Sequence, residues 1–474
     1  MRLKNGVESV KKFLIKRAFK ALYLFLIQTT WRNMMTLFHK KIWIASLFLF
    51  LFVTASPHPV YSKTSKANPK AKTPQAAQPA QKPQAQEASK AAQPGQPSQG
   101  SQNPLHCEDA ESAILMDGLT GQVLYEQNSQ LRIPPASFVK VLTLYVAFDA
   151  IKAGQLKTDD MVTVSEKAWR IQGSKMFIKV GDRVKVEDLL KGIAIASGND
   201  ACVALAEHLA GSEEVFVAKM NEKAKSIGMK DSVFKNAHGM PAEGQVTSAL
   251  DMAVLSLHYI ADHPESLAFH SATEFEYNGI KQGNRNTLLY KNIGVDGLKT
   301  GHIEESGYHL VATAKRDGQR MIAVVMGCDK VKNRAPEAQK LLEYGFKNYA
   351  TVEAVKRGAL FGPVKVKRGK ADQVILTAAE DARVTVAKGK ENAVSVVSEL
   401  PKFVVAPIQK GQVLAKIPVQ HEGKLVKEIN LIASVDIPKT WVPPWPVLVG
   451  VFFGLCVLGL AGFFWVRRSK PKKY

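Results

Sequence analysis

Residues 447–466 carry no charged side chain and are followed at once by Arg467, Arg468, Lys470, Lys472 and Lys473. In hydrocarbon every backbone N–H and C=O must be satisfied within its own segment, so such a run can meet lipid only as a helix. At about 1.5 Å per residue its 20 residues reach ~30 Å, the thickness of a bilayer core. The basic residues behind it put its C-terminal end in the cytoplasm and everything before it on the outer face. Gly450 and Gly454 have small-xxx-small spacing, but glycine is common in spans, and the pair reads as ordinary span composition. We assign 446–466 to a transmembrane helix and 467–474 to a basic cytoplasmic tail.

A second apolar run, residues 42–53, follows Lys40 and Lys41. Its 12 residues are too few to span a bilayer and fall within the roughly 7–15 of a signal-peptide core. Residues 1–62 are therefore expected to be a basic n-region and signal peptide. The cleavage site is open between Ala55 and Ser62, and the start between Met1 and Met34 or Met35; an uncleaved anchor is the alternative. Residues 63–104 have seven prolines among Ala, Gln and Lys and almost nothing apolar to bury. Ordering them would cost backbone entropy without return, so they read as a disordered tether.

Charge follows the same division. The net charge of +22 invites a nucleic-acid partner, but residues 1–104 hold 16 basic and 2 acidic side chains, and the tail holds five more basic ones. Residues 105–466 are nearly balanced, at 43 against 40, which removes nucleic acid as a partner. Of four cysteines Cys456 lies in the span, leaving Cys107, Cys202 and Cys328. An odd number builds no complete disulfide framework, so stability has to come from a hydrophobic core.

The body divides by texture. Residues 112–116 read as a buried strand, and 137–153 as a helix between Pro134-Pro135 and Gly154. Helical stretches at 187–195 and 200–209 are broken by Ser197-Gly198-Asn199, with Asn199 or Asp200 available as an N-cap. Strands at 309–315 and 320–327 flank Asp317-Gly318, a strong hairpin signal. Helices with an antiparallel sheet imply an α+β fold, an α/β sandwich, over 105–348. From 351 to 438 short alternating segments separated by Gly- and Lys-containing turns imply a small all-β domain without a catalytic cluster.

Three short motifs carry chemistry. Ser137-Phe-Val-Lys140 puts a hydroxyl and an amine on one helix face. Serine needs a nearby base to act as a nucleophile, and lysine can be that base only if burial or a second cation lowers its pKa. The spacing alone is weak, since it recurs at Ser9, Ser232 and Ser469. Ser197-Gly198-Asn199, at a loop tip between helices, is weaker still and is matched again at Ser101. Lys299-Thr300-Gly301 precedes a strand: the ammonium and hydroxyl can hold a carboxylate, and Gly301 lets a substrate backbone approach the strand edge. Lys299 is also the expected second cation beside Lys140. Cys202, near Ser197, reads as a buried structural thiol on an apolar helix face. No ligand spacing points to a metal, and none of the chemistry asks for a cofactor.

Order and spacing join the three. Ser137 precedes Ser197 by 60 residues, and Lys299 lies 102 beyond, the Ser-x-x-Lys, Ser-x-Asn, Lys-Thr-Gly set of penicillin-recognising serine enzymes. Residues 133–140, 196–206 and 295–302 closely resemble the serine-type D-alanyl-D-alanine carboxypeptidases, low-molecular-mass penicillin-binding proteins of bacterial cell-wall maturation. The resemblance covers about 105–438 and implies a β-lactamase/transpeptidase-like sandwich, a β-rich second domain, and removal of the terminal D-Ala from peptidoglycan pentapeptide stems. It also implies β-lactam antibiotics as inhibitors and a place in the bacterial inner membrane with the catalytic domain on the periplasmic face. By the same resemblance Ser137 is acylated, Lys140 is the base, Ser197 relays protons and Asn199 binds a substrate amide. Lys299 and Thr300 hold the terminal carboxylate beside Gly301, and the Ser137 and His302 N–H groups form an oxyanion hole. Two residues depart from the family pattern: Ile303 where threonine is usual, and Leu250 where arginine is common.

Other readings compete. A β-lactamase or a D,D-endopeptidase would use the same site. A penicillin sensor would need more cytoplasmic chain than 467–474, and a non-catalytic wall scaffold would not need the intact motifs.

Overall fold

The structure is a computed structural model that describes residues 105–441 and 445–468. The expected signal segment (1–62), the tether (63–104) and the tail beyond Arg468 lie outside the described residues.

Nine strands belong to the first domain: β1 (Ser112–Asp117), β2 (Val123–Gln127), β3 (Met161–Thr163), β4 (Arg183–Lys185), β5 (Glu274–Tyr277), β6 (Ile280–Gly283), β7 (Val295–Ile303), β8 (Gly307–Arg316) and β9 (Gln319–Cys328). β3–β4 and β5–β6 are separate pairs, and the other five form an antiparallel sheet in the order β2-β1-β9-β8-β7. β8 and β9 meet at the expected hairpin. Asp317 and Gly318 both take positive φ, 48° and 81°, as a tight two-residue turn between twisted strands requires.

Eight helices accompany the sheet: α1 (Val139–Lys152), α2 (Glu166–Arg170), α3 (Val186–Lys191), α4 (Asn199–Ala210), α5 (Glu213–Ser226), α6 (Ala249–Asp262), α7 (Leu267–His270) and α8 (Arg334–Asn348). β9 shows how they are arranged. Ile322, Val324 and Met326 join a core with Leu142 and Tyr145 of α1 and Met252 of α6. Met321, Ala323 and Val325 join a second core with Leu341, Leu342 and Phe346 of α8. Strand side chains alternate faces, so a strand covered on both sides is apolar without a break, which is why 321–326 shows no polar alternation. At about 1.5–3 kcal/mol per large buried side chain, these two cores hold the sandwich together. α1 is buried nearly all round, with Lys140 fully enclosed.

Two local departures from the sequence reading shape the site. The expected helix from residue 137 begins instead as a 3-10 turn, Ala136–Phe138, before α1. After α3 the chain widens into a π-turn, Gly192–Ala196, and stops at Ser197 in left-handed conformation, φ 61°. Gly198 is then the N-cap of α4 and no side chain caps it; Asn199 and Asp200 are both drawn elsewhere.

α8 runs directly into the all-β domain: β10 (Tyr349–Val355), β11 (Leu360–Lys367), β12 (Gln373–Ala378), β13 (Ala382–Ala387), β14 (Val394–Val396), β15 (Phe403–Val405), β16 (Val413–His421) and β17 (Lys424–Ala433). A six-stranded sheet, β14-β16-β17-β12-β11-β15, and the pair β10–β13 enclose Leu376, Val384, Ile417 and Leu431. The hydroxyl of Thr351 donates to Asp117 at 2.5 Å and Thr120 meets Thr385 at 2.6 Å, tying this domain to the first. Finally α9 (Trp445–Arg468) is long and apolar enough to cross a membrane. Its large side chains, Phe452, Leu455 and Trp465 among them, are exposed rather than packed on the rest of the chain.

Candidate active site

β7 is the edge of the central sheet, and the Ala136–Phe138 turn packs beside it. Two glycines permit the approach. A Cβ on Gly301 would lie 3.1 Å from the His309 ring and 3.4 Å from the Ala136 methyl. A Cβ on Gly239 would lie 1.9 Å from the Ala136 carbonyl oxygen, and Gly239 has φ 87°. Ala136 itself has φ 48°, a conformation that costs a residue with a Cβ roughly 1–3 kcal/mol and persists only where its surroundings enforce it. The reactive-looking serine thus follows a strained residue.

On this turn Ser137 is half-buried, and its Oγ accepts from Lys140 Nζ at 3.0 Å and from Ser197 Oγ at 3.1 Å. Lys140 also donates to Asn199 Oδ1 at 2.8 Å and to the His238 carbonyl. Asn199 Nδ2 donates to the Gln172 carbonyl at 2.6 Å, which leaves its other amide hydrogen for a ligand. The first two motifs therefore meet in one hydrogen-bonded cluster. Lys299 and Thr300 are buried on β7, where Lys299 Nζ donates to the Thr300 carbonyl at 3.1 Å. His302 is exposed and stacks on Tyr308, with ring centroids 4.0 Å apart.

Asp200, which sequence reasoning offered as a cap, holds the second motif from behind. Its buried carboxylate accepts backbone N–H groups of Met176 and Phe177, both at 2.9 Å, and of Ile178 at 3.4 Å. The His238 loop is held by Glu213, which accepts the Ala237 N–H at 3.1 Å and lies 3.3 Å from the His238 ring.

Burial pushes the Lys140 amine down from 10.5 to about 8, with Arg285 assisting and Cys202 and Asp200 opposing. Lys299 is held well below its ordinary range by burial first, then by Lys140 and Arg285. The two lysines are electrostatically coupled, as expected of a pair of cations in one site, and Arg285 is a further cation that lowers both. Arg285 sits just after β6 and donates to Ser174 Oγ at 2.9 Å. Arg334, at the start of α8, also lowers Lys299. Both arginines escaped sequence reasoning because each is alone in the chain and only folding brings it here. Cys202 is fully buried, and burial raises its thiol to about 12, so it is no thiolate near neutrality.

Ile303 lines a cavity of about 460 Å³ together with Pro134, Pro135, Ala136, the 239–246 loop and Glu305. It forms one wall beside the serine turn. Leu250 lies at the start of α6, with its N–H on the Ser129 carbonyl at 2.9 Å and its side chain against the main core. Among the described residues no group of three or more His, Cys, Asp or Glu is placed to hold a metal ion.

A fully buried amine near 8, held 3.0 Å from a half-buried hydroxyl, can take the hydroxyl proton near neutral pH. Beside it, β7, the outermost strand of the sheet, carries a Lys and a Thr that can dock an extended, carboxylate-bearing chain.

Comparison with known proteins agrees with that chemistry. Residues 98–330 match the family model described as D-alanyl-D-alanine carboxypeptidase, and 349–439 match that of the penicillin-binding protein 5 C-terminal domain. The chain is similar to the D-alanyl-D-alanine carboxypeptidase DacC of Escherichia coli K12, 42% identical over 339 residues, covering 70% of this chain and 85% of that protein. It is similar to DacA of Haemophilus influenzae, 39% identical over 361 residues, with coverages of 75% and 90%. Among solved structures, penicillin-binding protein 5 from Haemophilus influenzae superposes with a TM-score of 0.65 at 39% identity, covering 72% of this chain and all of that one.

Proposed function

The chain belongs to the D-alanyl-D-alanine carboxypeptidase family, and on that premise we propose how its site removes the terminal D-Ala from peptidoglycan pentapeptide stems through an acyl-serine intermediate. Penicillins would be trapped covalently on the same serine. The observation that carries the reading is the single cluster of Ser137, Lys140, Ser197 and Asn199 beside the edge strand that bears Lys299 and Thr300.

The stem docks along β7 with its terminal carboxylate on Lys299 and Thr300. That negative charge raises the proton affinity of Lys299, which becomes the charged partner and favours the neutral form of Lys140. Asn199 gives its remaining amide hydrogen to the stem. Ser137 Oγ then bonds to the carbonyl carbon of the penultimate D-Ala as its proton passes to Lys140 Nζ. The oxyanion is met by the backbone N–H groups of Ser137 and His302, fixed donors that need no reorganisation. Collapse breaks the C–N bond, and the proton travels through Ser197 to the departing amine. Water next attacks the ester, Lys140 takes its proton, and the shortened stem leaves with Ser137 restored. Gly301 keeps the strand edge close enough for this geometry.

The catalytic body is assigned to the periplasmic face of the bacterial inner membrane, supported by the apolar α9 and the basic residues behind it. The test is labelling with a fluorescent penicillin, wild type beside Ser137→Ala, followed by mass spectrometry of a pentapeptide substrate. Covalent label lost in the variant and release of one D-Ala are expected. Label that survives Ser137→Ala would sink the nucleophile assignment. Rapid penicillin turnover without D-Ala release would favour a lactamase, and cleavage of cross-linked dimers in preference to pentapeptide an endopeptidase.

A further inference from the structure

The strained turn before Ser137 is gripped from two sides. On one, Ile133 pairs with Thr247, its N–H donating to the Thr247 carbonyl at 2.8 Å. On the other, the Pro134 carbonyl accepts the Ser306 hydroxyl at 3.0 Å and lies 3.2 Å from His309 Nε2. Ser306 Oγ and His309 Nε2 are themselves 3.0 Å apart. The Gly327 N–H donates to His309 Nδ1 at 3.0 Å, so the proton of a neutral ring sits on Nε2 and points at Ser306 and Pro134. Both side chains are buried; His309 has no exposed surface and burial holds its pKa down near 4. The ring also tilts against Phe138, centroids 5.4 Å apart, and underlies Gly301.

We infer that Ser306 and His309 are positioning residues for acylation: with the Gly327 N–H they form a relay that clamps the Pro134 carbonyl to the sheet and thereby holds Ala136 left-handed and Ser137 aimed at the β7 edge. The placement supports this. β8 carries His309 directly opposite Gly301, so one ring sets both the floor under the substrate strand and the height of the serine turn. Neither side chain hydrogen-bonds to Ser137, Lys140 or Lys299; each acts through the backbone of residue 134. A turn that pivots by even an ångström moves a nucleophile out of line, which can cost on the order of a hundredfold in rate.

The inference rests on the acyl-serine reading above, and its test separates the two. Rapid-mixing kinetics with a fluorescent penicillin resolve the reversible binding constant from the acylation rate constant, alongside thermal unfolding of each variant. His309→Ala is expected to lower the acylation rate constant about tenfold to a hundredfold with reversible binding changed less than threefold, while the label still attaches at Ser137. His309→Gln, which can return an N–H near the position of Nε2, is expected to recover much of the loss. Ser306→Ala should cost less, about three- to tenfold, and add less than independently to His309→Ala, because both act on one carbonyl. A loss in His309→Ala that appears only as weaker binding, or that follows unfolding temperature and is not relieved by Gln, overturns the clamp. Label found elsewhere than Ser137 overturns the acyl-serine reading instead.

Discussion

The pH dependence of acylation tests the lysine most directly. With Lys140 near 8, about one molecule in eleven has a neutral amine at pH 7, whereas a lysine left at 10.5 would be neutral about once in three thousand. Burial, aided by Arg285, thus raises the amount of competent base by a factor on the order of a hundred or more. Because the neutral form is the active one, activity falls as pH drops. The acylation rate constant with a fluorescent penicillin, measured from pH 6 to 10, should rise about tenfold per unit below pH 7, reach half its plateau between 7 and 9, and flatten above. Arg285→Gln removes the assisting cation, so the midpoint moves toward alkaline pH while the plateau persists. A flat profile, a midpoint near 10, or an acid shift in Arg285→Gln would refute the argument that a buried Lys140 is the base.

Four further outcomes follow from single contacts. Gly239→Ala drives a methyl into the Ala136 carbonyl and should abolish penicillin labelling, with a lowered unfolding temperature; normal labelling would deny the close approach. Asp200→Ala leaves the N–H groups of Met176 and Phe177 without their acceptor in a buried site. A loss of about 3 kcal/mol in denaturant unfolding is expected, from two charge-assisted hydrogen bonds. Cys202→Ala should keep full labelling stoichiometry by mass spectrometry, since its thiol, raised to about 12, has no nucleophilic part to play. A chain ending at Trp441 should leave the membrane fraction and still take the label in the soluble fraction; retention on membranes would reassign the anchor.

Much of the site was legible before folding was considered. Ser137 and Lys140, Ser197 and Asn199, and Lys299 with Thr300 and Gly301 form three short motifs in a fixed order, and the chemistry of a serine nucleophile limits what they can mean together. The Asp317-Gly318 hairpin was equally plain, because a two-residue turn with positive φ at both positions admits few residue pairs. The start of α1 was not. Two prolines and an apolar run mark a helix, but nothing local says that Ala136 adopts φ 48° or that Ser137 sits in a 3-10 turn; both occur where Gly239 and Gly301, over a hundred residues away, come close against Ala136. The cap expected at Asn199 or Asp200 failed for a related reason: both side chains gain more from buried distant partners than from the helix end.

What the sequence by itself determined is therefore the kind of chemistry and the division of the chain, because motif spacing and hydropathy are local and additive. The ionisation of that chemistry belongs to the tertiary structure. Whether Lys140 can act as a base depends first on its complete burial, and the aim of Ser137 depends on a carbonyl held by Ser306 and His309. Desolvation and strain arise only when remote segments close around a residue, so no window of sequence contains them.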